Sequence, residues 1–428
     1  MAKLLPRTNA IVPTYSGEWF IRALVFGLFL VVHAVLINLS QFVASVILYG
    51  NPKKAQRWYR HTEHYFTVVL VLLTQWLAPT QLVLTHDDSM PALIGECSTD
   101  SNGEIQQENF SPVARGGIVW PGKLARCLLS PRAIVMANHQ VYMDWIYLWF
   151  LAYYNDCAGG VKIILKNSLR NIPVFGWGMQ FFRFIFLSRQ WEKDKRPMLE
   201  QLHQATQSDF PHWLTLFPEG TTITPKAQAK CHAYAEDKQL PKTRHVLLPR
   251  CTGLYHSCQA MRKVTDYVYD ITMGFEGLTP DQTPQDTYTI PKMYINQFYP
   301  RHVHIHVRRI PMDEVPTDIE EFTQWLRQRW YEKDTLMAYF YRHGRFPHGT
   351  SVSDLPSIQV EDTEVMPSTV PEATPDVEQD LLPNPCARIE VQVRSWFELG
   401  QLWLLFAAFI WAVRLMGKGI VGMVSSLG

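Results

Sequence analysis

Between residues 80 and 345 the chain alternates short apolar runs with amphipathic stretches, and this alternation limits the available folds more than any other feature. AIVMAN, VKIILKN, RFIFLSR, WLTLFPEG, VYDITMGF and HVHIHVRRI read as strands, as do GIVW and HVLLPR. WIYLWFLAYY, VFGWGMQFF, KRPMLEQLHQATQ and IEEFTQWLRQRWYEKDTLMAYF read as helices. Strands that alternate with helices bury their faces best as layers, so the pattern predicts an α/β domain. The 428 residues suffice for one large domain or two ordinary ones.

Three further apolar runs point to a membrane. Residues 19 to 39, WFIRALVFGLFLVVHAVLINL, are long enough to span a bilayer as a helix. The apolar core of a signal peptide is shorter, about 7 to 15 residues, which favours a retained anchor. A basic stretch with Lys53, Lys54, Arg57 and Arg60 follows, suited to the cytosolic side or to anionic headgroups. Residues 65 to 84 form a second run, which Pro79 interrupts. It is short for a full crossing, and a helix lying in one leaflet or a re-entrant pair with the first helix stands open beside two crossings. Residues 346 to 392 are rich in Pro, Ser, Thr, Asp and Glu and read as an acidic disordered linker. Residues 393 to 428 then carry a C-terminal apolar run, read as a transmembrane helix. Charged residues make up 18% of the chain, below the roughly 25% of soluble domains. The net charge of +1 gives no argument for a nucleic-acid partner. Seven scattered cysteines without a CxxC pair read as reduced thiols facing a cytosol-like compartment.

The chemistry concentrates in MANHQVYMDW, residues 136 to 145. Five residues advance a helix by about 500°, so His139 and Asp144 within one helix would point roughly 140° apart. They can meet only if His139 sits in the turn after the strand and Asp144 opens the helix. A carboxylate beside an imidazole fixes its tautomer and stabilises the imidazolium, as a general base requires. The same spacing also suits a structural hydrogen bond that closes a turn. The aromatics surrounding this stretch are expected to wall the histidine. Further on, LTLFPEGTT runs an apolar strand into a turn that presents Glu219, Gly220, Thr221 and Thr222. In α/β sheets, ligands bind at such carboxyl ends. Lys166 and Arg189 flank a segment rich in glycine and aromatics, and an arginine at the end of a strand can hold a phosphate. No Gly-x-Ser-x-Gly elbow, phosphate loop or dinucleotide fingerprint appears. His302, His304 and His306 share one strand face, read as a polar sheet face rather than a metal site.

In order along the chain stand Asn138-His139-x4-Asp144, a strand ending in Arg189, Phe217-Pro218-Glu219-Gly220-Thr221, and an apolar run ending in Pro249. This series resembles the four blocks of the glycerolipid acyltransferases, the acyl-CoA:lysophospholipid and 1-acylglycerol-3-phosphate acyltransferases. NHQVYMDW, FIFLSRQWEKDK and HIHVRRIP look most like the subgroup of lysocardiolipin and lysophosphatidylinositol acyltransferases. The resemblance implies a mixed central sheet flanked by helices, with membrane helices at both ends. It implies an acyltransferase domain over residues 80 to 345 after an anchoring region over residues 1 to 79.

The resemblance also implies roles. His139 is the general base for a glycerol hydroxyl, and Asp144 orients it. Glu219, Gly220 and Thr221 position the glycerol-phosphate part of the acceptor. Arg189 contacts its phosphate, Lys166 adds a preceding basic residue, and Pro249 closes the block on the acyl-donor side. Ser188 stands before Arg189 where many members carry Asp or Asn. The expected partners are a lysophospholipid acceptor, acyl-CoA as co-substrate with no bound cofactor or metal, and a phospholipid membrane. The endoplasmic reticulum, with the site facing the cytosol, is the expected location, and a mitochondrial membrane is the alternative. Two other classes stay open: a membrane-anchored lipid hydrolase and a non-catalytic lipid-binding protein.

Overall fold

The computed structural model describes residues 17–90, 129–206, 210–355 and 387–395, with residues 397, 398, 400, 401, 404, 407, 411 and 414 beyond them. The expected strand GIVW and the greater part of the acidic linker lie outside the described residues, as does most of the C-terminal apolar run.

Helix α1 (Gly17–Ile47) is the one described helix long and apolar enough to cross a membrane. Phe20, Ile21, Leu24 and Leu28 stand exposed along it. After a short turn, Asn51 caps α2 (Pro52–Leu77) by accepting the Lys54 N–H at 3.1 Å, and Pro52 supplies a first helical position that needs no donor. Helix α2 merges the basic stretch and the second apolar run. The stretch from Thr67 to Thr74 within it is wholly buried, and Trp76 beyond it is exposed. Helix α2 is therefore a core helix packed between α1 and the body of the domain, not a helix in one leaflet. The run breaks where Pro79 disfavours helical geometry at Ala78, and Gln81–His86 continues as strand β1.

The strands that follow are β2 (Arg132–Ala137), β3 (Val161–Lys166), β4 (Ile185–Leu187), β5 (His212–Leu216), β6 (Tyr267–Phe275), β7 (His302–Pro311) and β8 (Ala387–Glu390). The helices are α3 (Asp144–Tyr154), α4 (Phe175–Phe181), α5 (Trp191–Thr206), α6 (Pro225–Asp237), α7 (Cys251–Met261), α8 (Pro284–Thr287), α9 (Ile290–Tyr294) and α10 (Ile319–His343). They build one mixed eight-stranded sheet in the order β4-β3-β5-β2-β6-β7-β1-β8. Strands β4, β3, β5, β2 and β6 run parallel, so their carboxyl ends open on one edge. Strand β7 is antiparallel to β6.

Period-two alternation divides the core. Ala133, Val135 and Ala137 of β2 face α2 and α3, whereas Ile134 and Met136 face the side covered by α5, α7 and α10. Within α3, Trp149, Phe150, Leu151 and Tyr153 are buried. Truncating Phe150 to alanine would cost about 3–5 kcal/mol.

Two expectations are overturned here. HVLLPR is not a strand, because side chains rather than a ladder take the backbone donors of residues 245 to 248, two carboxylates for the first three and Cys231 Sγ for Leu248. Asp334 Oδ1 accepts the N–H groups of Arg244, His245 and Val246, and Glu219 accepts that of Leu247. Residues 387–390 fall inside the expected linker yet pair antiparallel with β1 as an edge strand. The histidine face of β7 is a polar sheet face, as expected, but much of it is buried. His304 and His306 are buried beside Phe340 and Phe346 respectively, His306 Nδ1 lies 3.0 Å from Thr85 Oγ1, and His302 meets the Glu276 carboxylate at 2.9 Å.

Candidate active site

The site forms at the shared carboxyl edge of β4, β3, β5 and β2. Asn138 ends β2 by donating to Met273 O at 3.0 Å and accepting the Met273 N–H at 2.7 Å, which replaces a ladder pair with β6. The chain then leaves the sheet with His139 in the turn. Asp144 opens α3, so the five-residue spacing brings the two side chains together, with His139 Nδ1 2.9 Å from Asp144 Oδ2. The same oxygen accepts the N–H groups of Gln140 at 2.6 Å and Val141 at 3.1 Å. Asp144 is fully buried. Burial pushes its carboxyl up, and the His139 bond and the two amide donors pull it back. The His139 side chain is 18% exposed and stacks on Phe217, ring centroids 4.5 Å apart. Phe217 thus walls the histidine. The aromatics of α3 expected there are largely turned into the core, and Tyr142 lies exposed in the turn.

Strand β5 delivers the Phe217 to Thr222 turn beside His139. Gly220 has φ +71, a left-handed conformation that glycine adopts without steric cost. Glu219 points inward and is 3% exposed. Its Oε1 accepts the His139 N–H and the Trp330 indole N–H, each at 3.2 Å, and its Oε2 accepts the Leu247 N–H at 3.3 Å. Burial pushes its carboxyl up to about 8 against those three donors. The carboxylate thus ties the histidine turn to α10 and to the segment before Pro249, while Thr221 is left exposed. Pro249 is buried, and the next residue, Arg250, donates its backbone N–H to Pro218 O at 2.8 Å.

Lys166 and Leu187 are register partners at the ends of β3 and β4, so Lys166 and Arg189 emerge on one edge. Lys166 is exposed. Arg189 has φ +65, rare for a residue with a side chain, and donates from Nη2 to Gly220 O at 2.7 Å. Ser188 takes part in holding that conformation. Asp194 Oδ1 accepts its N–H and its hydroxyl, both at 2.8 Å, and Asp194 Oδ2 accepts the Gln190 N–H at 3.1 Å. Asp194 was legible as an acid in the first turn of a helix. Trp330, Asp334 and Arg250 carried no local signal and reach the site only through folding. Among the described residues, no cluster of His, Cys, Asp and Glu could hold a metal.

Comparison with known proteins decides what kind of site this is. A family profile described as Acyltransferase matches residues 106–276, and one described as Acyltransferase C-terminus matches residues 294–366. An uncharacterized acyltransferase of Schizosaccharomyces pombe is 35% identical over 327 residues, covering 76% of this chain and 87% of that protein. The chain belongs to the glycerolipid acyltransferase family. This acyltransferase is also 33% identical over 278 residues to the 2-acyl-1-lysophosphatidylinositol acyltransferase of Saccharomyces cerevisiae, covering 56% of this chain and 70% of that protein. It is 36% identical over 232 residues to lysocardiolipin acyltransferase 1 of Gallus gallus, covering 54% and 59%. The first profile spans the described elements from β2 to β6, and the second reaches α10, which carries Trp330 and Asp334.

Proposed function

We propose that this acyltransferase transfers a fatty acyl chain from acyl-CoA to a free glycerol hydroxyl of a lysophospholipid, with His139 as general base. The observation that carries the reading is the buried Asp144 bonded to Nδ1 of a partly exposed His139, beside the Glu219–Thr221 turn. Asp144 takes the Nδ1 proton as a hydrogen bond and leaves Nε2 as the base. Nε2 accepts the hydroxyl proton as the glycerol oxygen attacks the thioester carbonyl. The C–S bond breaks, the CoA sulfur leaves, and the imidazolium returns a proton to it. No acyl-enzyme is formed. Lys166 and Arg189 supply cations for the acceptor phosphate, and the turn at Gly220 and Thr221 receives its glycerol. Pro249 belongs to the wall on the acyl side.

The acceptor lives in a bilayer and the donor in the cytosol, so the active face sits at that boundary. The exposed apolar face of α1 supports membrane association, and the C-terminal apolar run is assigned as a second membrane helix. The endoplasmic reticulum membrane is the location that goes with this reading.

The test is transfer from labelled acyl-CoA to a panel of lysophospholipids in membranes containing the full chain. His139→Ala is expected to lower kcat by about 10²–10⁴-fold. Undiminished turnover in that variant would end the proposed mechanism. Release of fatty acid from lysophospholipid without acyl-CoA would replace it with hydrolysis.

A further inference from the structure

Two arginines converge on Gly220, and the sequence pattern marks only one of them. Arg189 donates from Nη2 to the Gly220 carbonyl oxygen at 2.7 Å. Arg250 follows Pro249 and stands immediately before α7. A Cβ placed on Gly220 would lie 3.6 Å from Arg250 Nε and 3.9 Å from its Cζ, so the guanidinium lies in contact distance of the glycine. The Arg250 N–H bond to Pro218 O, at 2.8 Å, fixes the start of that side chain relative to the turn.

We propose that Arg250 is a second phosphate-binding residue of the acceptor site, forming with Arg189 a two-guanidinium clamp across Gly220. This rests on the reading that the acceptor is a lysophospholipid.

Charge and geometry support it. Arg250 is exposed, and among the described residues its side chain makes no hydrogen bond or ion pair. The acids nearby are already occupied. Glu219 points inward onto three N–H donors, and Asp194 accepts from Ser188 and Gln190. Two like charges therefore meet at one residue with, among the described residues, no carboxylate between them, an arrangement that an anion relieves. Each guanidinium presents a planar fork of donors that matches the oxygens of a phosphate. The backbone holding them is predetermined: Arg189 sits at φ +65 between two residues fixed by Asp194, and Gly220 at φ +71 holds a conformation that favours glycine. The apposition has a direct consequence for specificity. An acceptor that lacks the phosphate would gain nothing from Arg250.

The experiment measures steady-state acyl transfer by the full-length protein in membranes, with lysophosphatidate, lysophosphatidylinositol and monoacylglycerol as acceptors. Arg250→Gln is expected to raise KM for the phosphate-bearing acceptors by about ten- to a hundredfold. It should leave kcat within a few-fold and leave any turnover of monoacylglycerol unchanged. Arg250→Lys keeps the charge but not the fork and should recover only part of the loss. Arg342→Gln removes an equally exposed charge from the end of α10 and serves as the control. An unchanged KM for phosphate-bearing acceptors in Arg250→Gln overturns the proposal while leaving the acyltransferase reading intact. So does a rise in KM confined to acyl-CoA, which would assign the arginine to the CoA phosphates. If the wild-type protein acylates no phosphate-bearing lysolipid, the proposed function falls and the clamp with it.

Discussion

Trp330 and Glu219 lie 111 residues apart, and the indole N–H of one donates to the carboxylate of the other at 3.2 Å. The same carboxylate oxygen accepts the His139 backbone N–H. Helix α10 therefore reaches the turn that carries the proposed base through a single buried group. The attachment is reinforced one turn along. Lys333 is fully buried and paired with Asp270 on β6, while Asp334 collects the N–H groups of residues 244 to 246. Burial pushes the Asp270 carboxyl up, but Arg308 and Lys333 beside it win and hold it below the ordinary carboxylate range.

Trp330→Phe keeps an aromatic ring and removes the indole donor. Glu219 Oε1 then loses one of its two partners, and a gap opens where the larger ring was. The expected cost is about 1–3 kcal/mol of stability, read as a fall in Tm. A drop in kcat should accompany it, because His139 hangs from the same oxygen. A variant with wild-type Tm and kcat would show that α10 does not brace the turn.

The Glu219 carboxyl also makes a pH-dependent contribution. Burial raises it from 4.5 in the unfolded chain to about 8 in the fold. The folded state therefore binds the proton more tightly than the unfolded one. The stability linked to this group is fully present below about pH 4.5 and is lost as pH rises through about 8. Glu219→Gln cannot titrate, and its amide must set a donor against an N–H, so it should be less stable than wild type with no pH slope of its own. The Tm gap between wild type and Glu219→Gln is expected to narrow from pH 5 to pH 8.5. A gap that widens over that range would reverse the assignment.

The parts of the site written in one local stretch were legible, and those assembled from distant stretches were not. His139 and Asp144 are five residues apart, and helical geometry alone required a turn between them. The Phe217 to Thr222 turn was visible because proline and glycine follow an apolar strand. The inward direction of Glu219 was not, since its partners are Trp330, Leu247 and a backbone N–H. HVLLPR has the composition of a strand, but its first two amides and that of Arg244 before it answer to Asp334, a residue on α10. The run from 65 to 84 read as membrane-associated because hydrophobicity does not distinguish a lipid-facing helix from a core helix or from a strand buried next to it. Pro79 marked the break, and burial of Glu63 within the helix went unread.

Arg394 straps the end of the described chain to the domain. Its guanidinium donates to Glu398 Oε1 at 2.8 Å and to Tyr153 O at 3.3 Å, pairs with Asp156, and sits 4.3 Å from the centre of the Tyr153 ring. Tyr154 meanwhile donates to Glu390 O at 2.8 Å beside strand β8. Arg394→Ala should release this segment at a cost of about 1–3 kcal/mol. Limited tryptic digestion checks it: cleavage after Arg388, which pairs with Val83 of β1, should be faster than in wild type. Equal cleavage rates would mean that the strand pairing alone holds the segment.

Asp194 is expected to act on the acceptor without touching it. Its two oxygens fix Ser188 and Gln190, the residues on either side of Arg189, and so impose the left-handed backbone between them. That conformation costs a residue with a side chain roughly 1–2 kcal/mol, so without the restraint the backbone relaxes and the guanidinium leaves Gly220. Asp194→Ala should therefore raise KM for a lysophospholipid with little change in kcat. Arg189→Gly separates charge from backbone, because glycine keeps the left-handed turn at no steric cost while the guanidinium is lost. It should raise the same KM without lowering Tm. If Asp194 works through Arg189, the double variant adds nothing to the KM of Arg189→Gly, a non-additivity that a double-mutant cycle reads directly. Additive increases in KM would show instead that Asp194 has a route to the acceptor of its own.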